Sequence, residues 1–288
     1  MTDMTDRIHF CKMQGAGNDF IVVFCEPGST EEKLRDSASK TEEIMRLCSR
    51  KLGIGADGLL FLTRQARETV FKMDFYNCDG SRAAMCGNGL RCAALFAARR
   101  CGGGKTPVFL TDSGELKTEV ISAENPGVAR ITIKINEPFR DLGDTDGFRV
   151  CFGIAGVPHA VVPVDDTDRI DVEAAGRFLR NHAVFGPAGT NVDFVELAEK
   201  DGAHRIRTYE RGVEGETLAC GTGIVSAGTV LHQFFNAGKK VRFLSRSGDI
   251  LQVDISQDGY ILTEVYLTGP AQETFEGIAP VRIKKRKS

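Results

Sequence analysis

No apolar run in the 288 residues approaches the roughly 20 that a membrane-spanning helix needs. The stretch Met1 to Phe10 has no apolar core that would serve as a signal peptide, so a soluble, cytoplasmic protein is expected. There is no excess of one charge either. With 37 basic against 39 acidic residues, no broad surface for nucleic acid or acidic lipid is expected. The basic tail Arg282 to Lys287 is local and reads as a solvated terminus. Nine cysteines are present, yet no C-x-x-C pair, which speaks against a zinc site and against a dithiol redox centre. Seven of the nine read as small buried hydrophobes. No lysine motif for pyridoxal phosphate and no metal-ligand cluster stands out, so neither cofactor nor metal is expected. The match of Gly53-Ile54-Gly55-Ala56-Asp57-Gly58 to the dinucleotide pattern G-x-G-x-x-G fails on context. That pattern needs a strand before and a helix after; here a helix precedes it and Leu59 to Thr63 reads as a strand.

What is present is a repeat. Cys86-Gly87-Asn88-Gly89 opens a run, Leu90 to Ala98, that is apolar around most of a helical cylinder. Arg99, Arg100 and Gly102 to Gly104 supply its stop. Cys220-Gly221-Thr222-Gly223 opens a second such run, Ile224 to Leu231. A Ser-Gly pair follows each, with Gly114 and Gly248 both 28 residues beyond their cysteine. Tyr76 and Tyr209 precede the cysteines at nearly equal distances, and Asn18-Asp19-Phe20 resembles Asn191-Val192-Asp193-Phe194. The chain is therefore read as a duplicated domain. Residues 1–136 form the half carrying Cys86 and 137–274 the half carrying Cys220, with the tail 275–288 a candidate to return to the first.

The fold class expected is α+β: two pseudo-symmetric domains, each an antiparallel sheet or barrel wrapped round a central apolar helix. Residues 8 to 24 read as strand, glycine turn and strand; Ile131, Ile133 and Ile135 alternate as in a half-buried strand. An amphipathic helix is expected from about Thr41 and another over Asp171 to His182. His159, a single histidine after Gly156-Val157-Pro158, reads more readily as structural than as catalytic.

Each repeated cysteine sits where helix N–H groups lack intrahelical acceptors. Such a position is expected to stabilise a thiolate, lowering the ordinary thiol value of about 8.5. Two such helix ends in one cleft would place thiols on opposite faces of a substrate and N–H donors on its carboxylate. That arrangement suits cofactor-free exchange of an α-proton beside a carboxylate, one thiolate removing it and the other thiol returning one.

Lys12-Met13-Gln14-Gly15-Ala16-Gly17-Asn18-Asp19-Phe20, Asn77-Cys78-Asp79-Gly80-Ser81, Cys86-Gly87-Asn88-Gly89, Gly189-Thr190-Asn191, Tyr209-Glu210-Arg211-Gly212 and Ala219-Cys220-Gly221-Thr222-Gly223 resemble the diaminopimelate epimerase family over nearly the whole chain. The resemblance implies a pyridoxal-independent isomerase of LL- and meso-2,6-diaminopimelate in lysine and cell-wall synthesis, with two domains closing on the substrate, usually as a homodimer. It implies that Cys86 and Cys220 are the acid/base pair. By the same resemblance Gly87, Asn88, Gly221 and Thr222 hold the reacting carboxylate, while Asn18 and Glu210 contact the reacting end, Glu210 through the α-ammonium. Asn77, Asn191 and Arg211 bind the distal end. Two departures stand out. Val157 replaces the asparagine of a Gly-Asn-Pro-His motif, and a glutamine found in some members is missing where this chain has Ala56-Asp57-Gly58.

Three other readings compete. The cysteines could be core residues of a binding domain, which their recurrence at glycine-rich helix starts opposes. They could form a working disulfide, for which the sequence context is lacking. Or the chain is another two-thiol racemase, acting on histidine, proline or hydroxyproline; Arg211 and the paired asparagines favour a substrate with a distal carboxylate instead.

Overall fold

The computed structural model describes residues 6–198, 202–258 and 261–284. The chain forms two compact units, Met1–Ala129 with Ala271–Ser288, and Arg130–Pro270. Among the described residues no helix is long and apolar enough to cross a membrane. Residues 285–287 of the basic tail lie outside the described residues.

In the first unit β1 (Arg7–Gly15) and β2 (Asn18–Phe24) are a hairpin whose two-residue loop, Ala16-Gly17, has positive φ at both positions. That backbone matches the twist of the strands it joins. Asn18 and Asp19 therefore begin β2, and their side chains are spent elsewhere. Two helices follow, α1 (Thr30–Arg35), capped by the Ser29 hydroxyl, and α2 (Lys40–Cys48). They lead to β3 (Gly58–Arg64), parallel to β2, and β4 (Val70–Asn77) runs back antiparallel. The short β5 (Arg82–Ala83) pairs with β4 and delivers the chain to α3 (Gly87–Arg100). Then come β6 (Val108–Thr111), parallel to β4, β7 (Gly114–Ser122), antiparallel to β6, and β8 (Gly127–Ile133). Residues 272–280 pair antiparallel with β1, Phe10 opposite Gly277.

The second unit repeats this order. β9 (Glu137–Thr145), β10 (Phe148–Ala155) and β11 (Val157–Val164) run antiparallel, Gly156 making the last turn at φ 77°. After α4 (Val172–Arg180), β12 (Asn191–Glu196) lies parallel to β11 and β13 (His204–Glu210) antiparallel to β12. The short β14 (Gly215–Thr217) leads into α5 (Gly221–Phe234), then β15 (Lys240–Leu244), parallel to β13. The antiparallel β16 (Ile250–Asp258) and β17 (Ile261–Pro280) complete the ladder. Parallel junctions thus fall at the same two steps in both units, wherever a helix or a long connection separates the partners.

Both helices after the cysteines are central. Every residue of α3 from Gly87 to Ala97 is buried, and α3 packs against β1, β2, β3 and β7. α5 touches β9, β10, β11, β12, β15 and β16, strands spread along the whole ladder. A cylinder apolar on all sides can bury itself only if the sheet curls round it, and the architecture is α+β with a closed eight-strand barrel. The outer sheet faces are covered by the amphipathic helices. Ile44 and Leu47 of α2 pack with Ile21 and Val23, and Val172 and Leu179 of α4 with Val192 and Phe194. Strands buried on both faces explain the unbroken apolar runs at 20–23 and 59–62.

Candidate active site

Cys86 is the N-cap of α3, with extended backbone (φ −137°, ψ 121°), and its carbonyl accepts the Leu90 N–H at 2.8 Å. It is half-buried, and its Sγ lies 3.6 Å from Asn18 Oδ1. Asn88, 3% exposed, donates from Nδ2 to the same oxygen over a long 3.5 Å and accepts Arg91 Nη2 at 2.9 Å. Asn18 in turn donates from Nδ2 to Asp57 Oδ2 at 2.7 Å. Behind it, Arg50 bridges Asp57 (2.7 Å) and Asp19 (2.8 Å), and Lys12 reaches Asp19 at 2.8 Å. Burial alone would push the Asp19 carboxyl up, but hydrogen bonds from Arg50 and Lys12 prevail and hold it well below the usual carboxylate range. Asn77 clips its own loop: its amide donates to Ser81 Oγ at 3.0 Å.

Cys220 is the N-cap of α5, in the same extended conformation (φ −107°, ψ 113°). Its Sγ lies 3.4 Å from Thr222 Oγ1, which lies 2.9 Å from His159 Nε2. His159 Nδ1 meets Asp193 Oδ2 at 2.8 Å, both side chains fully buried, and Asp193 Oδ1 accepts the Thr208 hydroxyl at 2.9 Å. A carboxylate is acceptor-only, so the His159 Nδ1 that faces Asp193 carries a proton. The α5 N-terminus tolerates this only because position 223 is glycine: a Cβ there would stand 2.2 Å from Asp193 Oδ1. Glu210, at the end of β13, accepts the Thr217 hydroxyl at 2.5 Å, and burial pushes its carboxyl above the ordinary value. Arg211 follows it, its backbone N–H donating to Asn191 Oδ1 at 2.8 Å, while Asn191 Nδ2 donates to the Pro158 carbonyl at 2.9 Å. Asn191 thus ties the Arg211 turn to the start of β11. Val157, half-buried, is the first residue of β11.

Two expectations need correction. A helix end was expected to stabilise the thiolate at both cysteines, but the Cys220 thiol is pushed well above its ordinary value. Burial is the main cause and the carboxylates of Glu210 and Asp193 add to it; the Thr222 hydroxyl and the Gly223 N–H favour the anion but are outweighed. Of the seven cysteines expected to be buried, Cys78 is exposed, in the loop after β4; the other six are buried. His159, read as more readily structural than catalytic, is fully buried, with Asp193 on one ring nitrogen and Thr222 on the other. Asp57, Arg91, Asp193 and Thr208 were not singled out at all. The period-2 pairing of Asn191 with Asp193 on one strand face was the available signal for Asp193, and the i, i+3 spacing of Asn88 and Arg91 on one helix that for Arg91; Asp57 and Thr208 meet their partners only through the fold.

A family model described as diaminopimelate epimerase matches residues 10–135 and 152–274. A diaminopimelate epimerase of Aquifex aeolicus (strain VF5) is 41% identical over 278 residues, covering 94% of this chain and 97% of the relative. That of Hydrogenobaculum sp. (strain Y04AAS1) is 39% identical, covering 94% and 98%. Among solved structures, a phenazine biosynthesis protein of the PhzF family from Bacillus anthracis superposes with a TM-score of 0.69 at 14% identity, covering 96% and 99%. A probable proline racemase from Agrobacterium radiobacter K84 gives 0.65 at 17%, covering 96% and 93%. The two structural likenesses speak to the fold alone, whereas the sequence matches run through both helix-capping cysteines and nearly end to end: the chain belongs to the diaminopimelate epimerase family.

Proposed function

We propose that the chain interconverts LL- and meso-2,6-diaminopimelate by two-base proton transfer between Cys86 and Cys220, supplying lysine and peptidoglycan-precursor synthesis. The observation that carries this is the equivalent placement of the two cysteines, each the N-cap of a buried helix beside a buried polar chain. When the two sites close on one substrate, the helix N-termini at Gly87-Asn88 and Gly221-Thr222 receive the reacting carboxylate and the charge that builds on it. Cys220, kept as the thiol, donates the proton in one direction and by reversibility accepts it in the other. Removing the proton leaves a carbanion that the helix ends stabilise; the opposite thiol then protonates the other face. Asn18 borders the reacting end, and Glu210 pairs with the α-ammonium, whose charge favours its carboxylate. At the distal end Arg211 clamps the carboxylate in bidentate fashion, helped by Asn77 and Asn191, with Val157 as an apolar wall. The same reading carries a cytoplasmic homodimer.

The test is proton NMR of LL-diaminopimelate with the purified protein in deuterium oxide. Loss of one α-proton signal with appearance of the meso isomer is expected, and Cys86→Ala or Cys220→Ala should lower turnover by about 10²–10⁴. Faster racemisation of histidine or proline would overturn the substrate. A Cys86→Ala protein keeping a substantial share of wild-type turnover would overturn the two-base chemistry.

A further inference from the structure

We propose that Arg91 and Asp57 are a pair of positioning residues: from opposite ends they fix which way the side-chain amides of Asn88 and Asn18 point, and so hold the Asn18 carbonyl against Cys86. An amide can turn over and exchange its oxygen for its NH₂ with little change of shape, so its sense must be imposed by its partners. Arg91, fully buried in α3, can only donate. Its Nη2 on Asn88 Oδ1 turns the Asn88 NH₂ towards Asn18. Asp57 can only accept. Its Oδ2 at 2.7 Å from Asn18 Nδ2 leaves the Asn18 oxygen facing both Asn88 and the Cys86 sulfur. The chain Arg91, Asn88, Asn18, Asp57 is therefore donor to acceptor throughout, and reversing either amide would set like against like at an end. Neither terminal residue is on the same element as both amides: Arg91 shares α3 with Asn88, and Asp57 precedes β3 while Asn18 opens β2.

The sense matters for the thiol. An Asn18 carbonyl at Cys86 accepts the S–H and disfavours the anion, whereas an NH₂ there would donate to the thiolate. The inference rests on the proposed function only in that Asn18 and Asn88 touch the substrate. The charged and titratable groups of this unit around the chain include Asp19, Lys12 and Arg50 behind Asp57, Cys48 and Cys78 beside it, and Cys92 beside Arg91 and Cys86 on α3.

The test reads the pH midpoint of iodoacetamide alkylation at Cys86, followed on its peptide by mass spectrometry between pH 6 and 9. Asp57→Asn and Arg91→Gln each replace a one-sense terminator with an amide that works either way. Both should lower the midpoint, by about one unit, and both should reduce kcat/KM at least tenfold. Charge alone would move them oppositely, since one substitution removes an anion and the other a cation. Asp57→Glu, which keeps an acceptor-only carboxylate, should restore the wild-type midpoint. Midpoints that move in opposite directions, or stay put while activity falls, would overturn the proposal. A wild-type protein inactive on diaminopimelate would sink the functional reading, while the alkylation midpoints would still decide the amide sense.

Discussion

Asp19 shows how much one surface-edge carboxylate can carry. It accepts two hydrogen bonds from Arg50 and an ion pair from Lys12, and its carboxyl is held far below the unfolded value of about 3.9. A depressed carboxyl contributes stability that is present above that unfolded value and lost as pH falls towards the folded one. Asp19→Asn should therefore cost about 1–3 kcal/mol at neutral pH. In urea unfolding the gap between wild type and variant should close as the pH drops below about 4; a gap constant down to pH 2.5 would show that the ionised pairing is not what stabilises the cluster. The same cluster buttresses Asp57, so part of the support behind Asn18 is electrostatic and weakens in acid.

Among elements, α3 and α5 are equivalent in position but not in what surrounds their second glycine. A Cβ at Gly89 would make ordinary contacts of 3.5 Å with Leu60 and Phe20, while one at Gly223 would collide with the Asp193 carboxylate. Alanine raises helix propensity by about 1 kcal/mol over glycine. Gly89→Ala should thus be neutral or slightly stabilising in a thermal melt. Gly223→Ala should be destabilised despite the same gain, because Asp193 must leave His159; an equal response of the two variants would count against this difference. These two helices were also the most legible part of the sequence. Their capping cysteines, apolar wheel and stop signals are all local, and the repeat doubled each signal. The parallel junctions β2–β3, β4–β6, β11–β12 and β13–β15 were not legible, because a strand's own alternation says nothing about which distant strand lies beside it. The site divides in the same way. Cys86, Asn88, Cys220 and Thr222 were found because each lies within three residues of a helix start. His159, Asp193 and Thr208 lie on three strands, and Asp57 lay inside a glycine pattern read only for nucleotide binding.

For the molecule as a whole, the second unit repeats the element order of the first, and buried thiols run through the chain. Burial raises Cys11, Cys25, Cys48 and Cys92 to about 12, and Cys101 and Cys151 to about 11. The unfolded thiol titrates near 8.5. A raised group contributes stability that is fully present below the unfolded value and lost as pH climbs towards the folded one, here at about 1.4 kcal/mol per pH unit for each thiol. The five that lie in the first unit, all but Cys151, reach together by about pH 10 a sum comparable to the 5–15 kcal/mol that holds an ordinary domain. The melting temperature should fall steeply between pH 8.5 and 10.5, and Cys25→Ala should lessen the slope by one thiol's share; a flat profile over that range would refute this. An enzymologist who follows the rate above about pH 9 will read two titrations at once, that of the site and that of the fold. A melting curve at each pH separates the two, and a limb that falls where the melting temperature falls reports the fold and not the chemistry.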